Sequence, residues 1–243
     1  MSTLQLFANG LSKIFITVDQ RSYKNLISNV LSTVPSPLPQ CDSTLTAESV
    51  FIIDTGDAKP IMQRPYRLPH STKIEVNKEV QTLLDQGIIR ESTSEWCSPI
   101  VVRQKFKDGK PAGVRMCVDF RKVNLVTKED PFPLPRTDEL IEGLAAAKFM
   151  TTFDLTKGYY QVPMEKDSVA KTAFVTPNGK YEHLRLPFGT KTASGHYQRM
   201  VQRILSGCEK FAASFIDDIV IHDTDFVTHL KHVREVLGRL RKA

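Results

Sequence analysis

The chain has 243 residues, 41% of them hydrophobic and 25% charged, with a formal net charge of +6. That balance suits one large or two small globular domains and excludes collagen-like, mucin-like and wholly disordered chains. The charge is uneven: residues 1–57 hold three basic and five acidic residues, leaving 30 basic against 22 acidic in the rest, a body suited to a polyanionic partner. Apolar runs such as Ile219-Val220-Ile221 are interrupted by charge, so no membrane span or membrane partner is expected. No basic segment precedes an apolar run at the start, so no signal peptide is read. Cys41, Cys97, Cys117 and Cys208 lie far apart without C-x-x-C spacing, which points to reduced intracellular thiols and against zinc.

In chain order, residues 1–50 read as a leader or linker, with a proline-rich break from Val34 to Pro39, and compact order is expected from about Val50. Thr72 and Glu75 form a capping box ahead of Val76, Val80, Leu83 and Leu84 at helical spacing, and Gly87 supplies the stop. Ile100 to Phe106 and Val114 to Phe120 read as strands around Lys107-Asp108-Gly109. A short helix follows from Thr137 to about Ala147, then a strand from Phe149 to Leu155 that runs into Gly158. Lys171 to Thr176 and Lys180 to Leu186 flank Asn178-Gly179, a hairpin signal for a type I′ turn. Tyr197, Met200, Val201, Ile204 and Leu205 mark a helix; Phe211 to Ile221 reads as two strands hinged at Asp217-Asp218. Phe226, Leu230, Val233, Leu237 and Leu240 mark a final amphipathic helix. Helices intermixed with mostly antiparallel strands define an α+β fold.

Two segments place acids where burial should forbid them: Phe153-Asp154-Leu155, and the Asp217-Asp218 pair between Phe215-Ile216 and Ile219-Val220. An Asp-Asp pair is usually a solvated turn, but here both flanks are apolar strand sequence. Uncompensated charge there is costly, and metal ions are a usual compensation. Clustered carboxylates suit Mg²⁺, and two such ions can activate an attacking hydroxyl and stabilise a leaving pyrophosphate. Because neighbours on a strand point to opposite faces, Asp217 and Asp218 should not face Asp154 equally. Asp154 and Asp217 are therefore expected as main ligands, with Asp218 supporting.

The order of motifs resembles the reverse transcriptase of gypsy-type LTR retrotransposons. The matching segments are Gln63 to Leu68, Gly87-Ile88-Ile89 with Ser98-Pro99, Arg115 to Arg121, Phe132 to Pro135 and FDLTKGYYQV from Phe153. They continue with Lys171 to Phe174, Leu186 to Gly189, Tyr197-Gln198 and the box Phe215-Ile216-Asp217-Asp218. The resemblance implies a fingers–palm core over residues 51–243, its antiparallel palm sheet backed by helices from residues 190–206 and 224–241. It implies an RNA-directed DNA polymerase that moves deoxynucleotides from dNTPs onto a primer 3′-hydroxyl along an RNA or DNA template, with two Mg²⁺ ions or Mn²⁺ as a substitute. By the same resemblance Asp154, Asp217 and Asp218 are the catalytic metal ligands, and Tyr159 is the aromatic gate that clashes with a ribose 2′-hydroxyl. Arg115 contacts the triphosphate, as a planar guanidinium suits phosphate oxygens. Lys107, with Lys105 behind it, is the matching hairpin lysine, and Phe188 lines the nucleotide pocket. Phe215 replaces a customary tyrosine, Thr190 a leucine and Ser194 a proline, and Lys110 to Gly113 lengthens the fingers hairpin. The sequence stops within the helix after the metal box, so the fragment is expected to lack a thumb and to extend primers poorly. It is expected inside the cell, in a cytoplasmic retroelement particle or the nucleus.

Three other readings compete. Asp54-Thr55-Gly56 mimics an aspartic protease triplet, but polymerase motifs begin by Gln63 and leave no room for such a domain. His229 and His232, one helical turn apart near His222, could hold zinc, although no third ligand follows and helix surface is the better reading. The rival of another class is a catalytically silent retroelement fragment with at most weak, salt-sensitive nucleic-acid binding.

Overall fold

The structure is a computed structural model that describes residues 2–8, 11–18, 50–107, 110–155 and 158–242, without the side chains of 2–18, 105, 107 and 110–112. Its elements are β1 (Ser2–Ala8), β2 (Leu11–Val18), α1 (His70–Asp85), β3 (Ile89–Glu91), β4 (Ser98–Lys107), β5 (Lys110–Val118), α2 (Arg121–Val126), α3 (Thr137–Leu144) and β6 (Phe149–Leu155). They continue with α4 (Gly158–Gln161), α5 (Lys166–Val169), β7 (Phe174–Thr176), β8 (Gly179–His183), α6 (Ala193–Ile204), β9 (Ala212–Phe215), β10 (Asp218–Asp223) and α7 (Phe226–Lys242). The α+β class expected from the sequence is the one observed. The chain divides into two compact units: one of Met1–Thr44, Pro131–Gly158 and Ser194–Ala243, the other of Leu45–Asp130 and Tyr159–Ala193.

The first unit is an antiparallel sheet in the order β1-β2-β6-β10-β9. Thr151, Phe153 and Leu155 of β6 and Ile219 and Ile221 of β10 alternate onto its buried face. Helix α7 buries Phe226, His229, Val233, Val236 and Leu237, a helical stripe, and the Phe226 ring lies 5.3 Å from that of Phe149. Burying a side chain as completely as Phe153 stabilises by about 2–3 kcal/mol. Strands β1 and β2 fall within the segment expected as a linker, so ordered backbone begins well before Val50. Strand β2 pairs with β6, Ile14 opposite Phe153 and Ile16 opposite Thr151, and so covers an edge that β6 would otherwise leave bare. The missed signal is the alternation of Leu4, Leu6 and Ala8 with Ile14, Ile16 and Val18 about Asn9-Gly10.

His229 is not on the helix surface, as the sequence suggested, but 1% exposed. Its Nδ1 and that of His232 each stand 2.8 Å from one oxygen of Asp223, and its Nε2 stands 2.8 Å from Thr151 Oγ1. A carboxylate only accepts, so both Nδ1 atoms donate and His229 Nε2 accepts from the threonine hydroxyl. Burial holds the His229 imidazole below its ordinary range, against the pull of Asp223. These four side chains thus join α7 to β6 and β10.

The second unit carries a sheet in the order β3-β8-β7-β4-β5, antiparallel except for the parallel pair β4–β7. Val76, Val80 and Leu83 of α1 bury against Ile88, Ile89, Ile100, Phe174 and Tyr181. Helix α1 begins at His70 after Pro69, so Thr72 lies inside it and the expected capping box does not form; Glu75 pairs instead with Lys78. The stop is as read: Gly87 adopts φ 63°, and Ile88 N–H donates to Leu83 O while Gly87 N–H donates to Leu84 O, a Schellman closure. The β7–β8 hairpin pairs Thr176 with Gly179, so the turn residues are Pro177 and Asn178, one position earlier than expected. Proline pre-sets φ for the first turn position, and no positive φ at Asn178 is needed. Lys171 and Thr172 lie in a 3-10 turn rather than a strand.

His183 is buried between the rings of Phe120 and Phe174, 6.3 and 5.0 Å away, and its Nδ1 has no hydrogen-bond partner. Burial pushes its imidazole down to about 4. The unfolded chain takes up this proton near pH 6.5, the folded chain only near 4, so stability is lost as pH falls through that window. The loss should reach about 3 kcal/mol. Urea midpoints across that window should show it, and His183→Leu should flatten the slope; an unchanged slope in the variant would refute the assignment.

Candidate active site

The carboxylates gather where β6 meets the β9–β10 hairpin. Asp154 and Asp218 are directly opposed cross-strand partners, and Leu155 N–H donates to Asp217 O at 3.0 Å. The hairpin tip is Ile216-Asp217, so Asp217 leaves the strand alternation and Asp218 becomes the direct partner of Asp154. Directly opposed residues share a sheet face, here the less buried one, with Asp154 half-buried and Asp218 exposed.

Ile216 makes this tip possible with φ 55°, a left-handed conformation that β-branched residues rarely adopt and that costs about 1–2 kcal/mol. Gln198 of α6, fully buried, holds it. Its Oε1 accepts from Ile216 N–H at 2.7 Å, and its Nε2 donates to Ser214 O and Oγ at 3.1 Å. Gln198 was visible in the sequence only as part of the Tyr197-Gln198 motif, without a role.

Burial, and after it the charges of Asp154 and Asp218, push the Asp217 carboxyl above its ordinary range. Burial, then Asp154, does the same to Asp218. Asp217 Oδ1 is buried without a hydrogen-bond partner. A mutually repelling set with an unsatisfied inward oxygen fits a divalent cation. Among the described residues no three acidic, histidine or cysteine side chains form a ready-made cage. That is compatible with Mg²⁺, which commonly takes one or two carboxylates and completes its shell with water and substrate phosphates.

The residues that the sequence resemblance leads one to expect at the nucleotide, Arg115, Lys107, Tyr159 and Phe188, lie in the second unit. Tyr159 on α4 is buried at 6% exposure, and its ring centroid is 4.7 Å from that of Phe188, which is 39% exposed. Arg115 is exposed on β5, opposite Arg103 of β4. Lys107 ends β4 opposite Lys110; its side chain, like that of Lys105, lies outside the described residues. Asp119, within the Arg115 to Arg121 motif, accepts from both Arg121 Nε and Nη2 at 2.8 and 2.7 Å and from Tyr66 Oη at 3.1 Å; Arg121 first of all holds its carboxyl down at about 2. Asp54 accepts from Gly56 N–H and from Lys128 Nζ, both at 2.8 Å, and stays ionised in an exposed turn. That is a structural ion pair, not a protease aspartate sharing a proton.

An antiparallel sheet backed by two helices, with aspartates at the ends of two paired inner strands, together with a second β-rich unit, defines the fingers–palm core of a polymerase. Residues 104–243 match the family model of reverse transcriptase (RNA-dependent DNA polymerase), and the chain belongs to that family. It is 42% identical over 193 residues to the retrovirus-related Pol polyprotein from transposon opus of Drosophila melanogaster, covering 79% of this chain and 19% of that protein. The polyprotein from transposon gypsy of the same organism is 38% identical over 189 residues, 76% of this chain and 18% of its own length. The chain thus spans about a fifth of the length of these curated relatives. Among solved structures, the foamy viral protease-reverse transcriptase in complex with RNA/DNA hybrid is similar with a TM-score of 0.80 at 24% identity, over 92% of this chain and 30% of that one; this likeness shows the fold.

Proposed function

We propose that the chain performs template-directed transfer of deoxynucleotides to a primer 3′-hydroxyl, as the polymerase segment of a retrotransposon Pol polyprotein. The observation that carries this reading is the carboxylate set: Asp154 and Asp218 opposed across paired strands, with Asp217 beside them presenting a buried, unsatisfied oxygen. These three side chains would hold Mg²⁺, which when bound supplies charge neutralisation on the phosphates and activation of the primer hydroxyl. The protein's own part is to fix and partly desolvate the carboxylates, through the β6–β10 register and the Gln198 clamp. In the second unit the exposed Arg115 offers a guanidinium to triphosphate oxygens, with Lys107 on the same hairpin. The rigid Tyr159 ring, backed by Phe188, excludes the 2′-hydroxyl of a ribonucleotide. The foamy viral protein's complex with RNA/DNA hybrid supports a primer–template partner for this chain also.

Extension of a DNA primer on an RNA template with Mg²⁺ and dNTPs, wild type beside Asp154→Asn, tests the reading. Extension by the wild type and at least about a hundredfold loss in the variant is the expected result. Extension that persists in the variant would overturn the carboxylate assignment. Absence of extension in both forms, with nucleic-acid binding retained, would favour the silent-fragment alternative.

A further inference from the structure

Helix α4 presents two adjacent tyrosines, and Phe188 contacts both. Its ring lies 4.7 Å from that of Tyr159 at a 36° tilt, and 5.4 Å from that of Tyr160 nearly edge-on at 72°. Phe188 therefore packs against both rings. Tyr160 is itself fixed: it packs against the core cluster of α1 and the sheet, and its electrostatic neighbours are Glu79 of α1 and Cys117 and Arg115 of β5. Burial first, then Glu79 and Cys117, push its phenol up to about 12, opposed by Arg115, so it stays a neutral donor at any working pH. One side chain thus links the strand that carries Arg115 with the ring behind the sugar-facing tyrosine.

We infer that Tyr160 is a specificity-determining positioning residue, which sets the angle of Phe188 and through it the edge that Tyr159 presents to the nucleotide sugar. This rests on the polymerase reading above. Edge-to-face and offset ring pairs are favoured over other mutual angles, so these contacts hold a preferred ring angle. An aromatic with no such buttress can rotate away from an extra oxygen, and sugar discrimination then falls while phosphate contacts survive. Tyr160→Phe keeps the ring contact and loses only the hydroxyl, whereas Tyr160→Leu fills part of the volume and loses the ring.

The test is titration calorimetry of the full chain with dATP and with ATP, each with Mg²⁺, which needs no turnover, followed by primer extension with the same nucleotides. Wild type should prefer dATP; Tyr160→Phe should keep that preference within about twofold, and Tyr160→Leu should reduce it about three- to tenfold, chiefly by tighter ATP binding. A merely structural role would weaken both nucleotides alike, or shift only the urea midpoint, and would overturn the inference. A Tyr160→Leu variant with an unchanged dATP/ATP ratio would overturn it while leaving the polymerase reading intact. A wild type that binds neither nucleotide and also extends no primer would overturn both.

Discussion

Asp217→Asn is expected to abolish primer extension, by at least about a hundredfold, while making the folded protein more stable at neutral pH. The substitution keeps the size of the side chain and removes one of the charges that a metal would need, a loss comparable to deleting a preorganised electrostatic group from an active site. The stability gain follows from the raised Asp217 carboxyl: burial and the neighbouring Asp154 and Asp218 charges disfavour its ionised form in the fold. A carboxyl raised by folding weakens the native state at pH values above its folded pKa, and the penalty disappears as pH falls through that pKa. The neutral amide of the variant carries no such penalty, so its advantage in urea midpoint should be largest near neutrality and shrink on acidification. An Asp217→Asn protein that retained most of its activity, or was less stable than wild type at neutral pH, would contradict the assigned role.

The second large effect is on stability. Glycine to alanine in a helix ordinarily helps by up to about 1 kcal/mol. At Gly158 the sign should reverse, because a Cβ there would stand 2.1 Å from Tyr197 Oη, 2.7 Å from Cζ and 3.3 Å from Cε2. Tyr197 lies on α6 and is only 1% exposed, so a ring displaced by the new Cβ would have to move within a packed interior. Overpacking of this kind costs about 1–3 kcal/mol, which for a chain of this size lowers Tm by roughly 2–12 °C. Adding Tyr197→Phe removes the closest contact but leaves the ring carbon, so it should restore part of the loss and no more. A Gly158→Ala protein as stable as wild type in urea would show that Tyr197 has room the structure does not give it.

The parts of this fold that were legible in the sequence are those dictated locally. Strand β6 and the acidic hairpin stood out because aspartates interrupted apolar, β-branched runs, and Gly87 ended α1 because only a left-handed residue closes the helix that way. What sequence reading missed depends on partners distant in the chain. His229 is buried because Asp223 and Thr151 satisfy both its nitrogens, and neither partner is implied by helical spacing. The left-handed Ile216, against its own preference, is held by Gln198 of α6, which a propensity argument would never place there. The displaced β7–β8 turn shows the opposite failure: Asn178-Gly179 is a strong local signal, but Pro177 set the turn one residue earlier. Asp218 as the cross-strand partner of Asp154 depends on register, which strand alternation alone could not fix across the tip.

The two units are interleaved along the chain, and that has a consequence for synthesis on the ribosome. The second unit is complete in sequence at Ala193, whereas the first still awaits the segment Ser194–Ala243. At about 5–20 residues per second these take roughly 3–10 s to appear. During that interval β6 has emerged, but β10, its partner through Ile219 and Ile221, does not yet exist. An apolar strand with an open edge is a template for pairing with other chains. Slower translation of the codons for Ser194–Ala243 should therefore lengthen that exposure and lower the yield of folded protein.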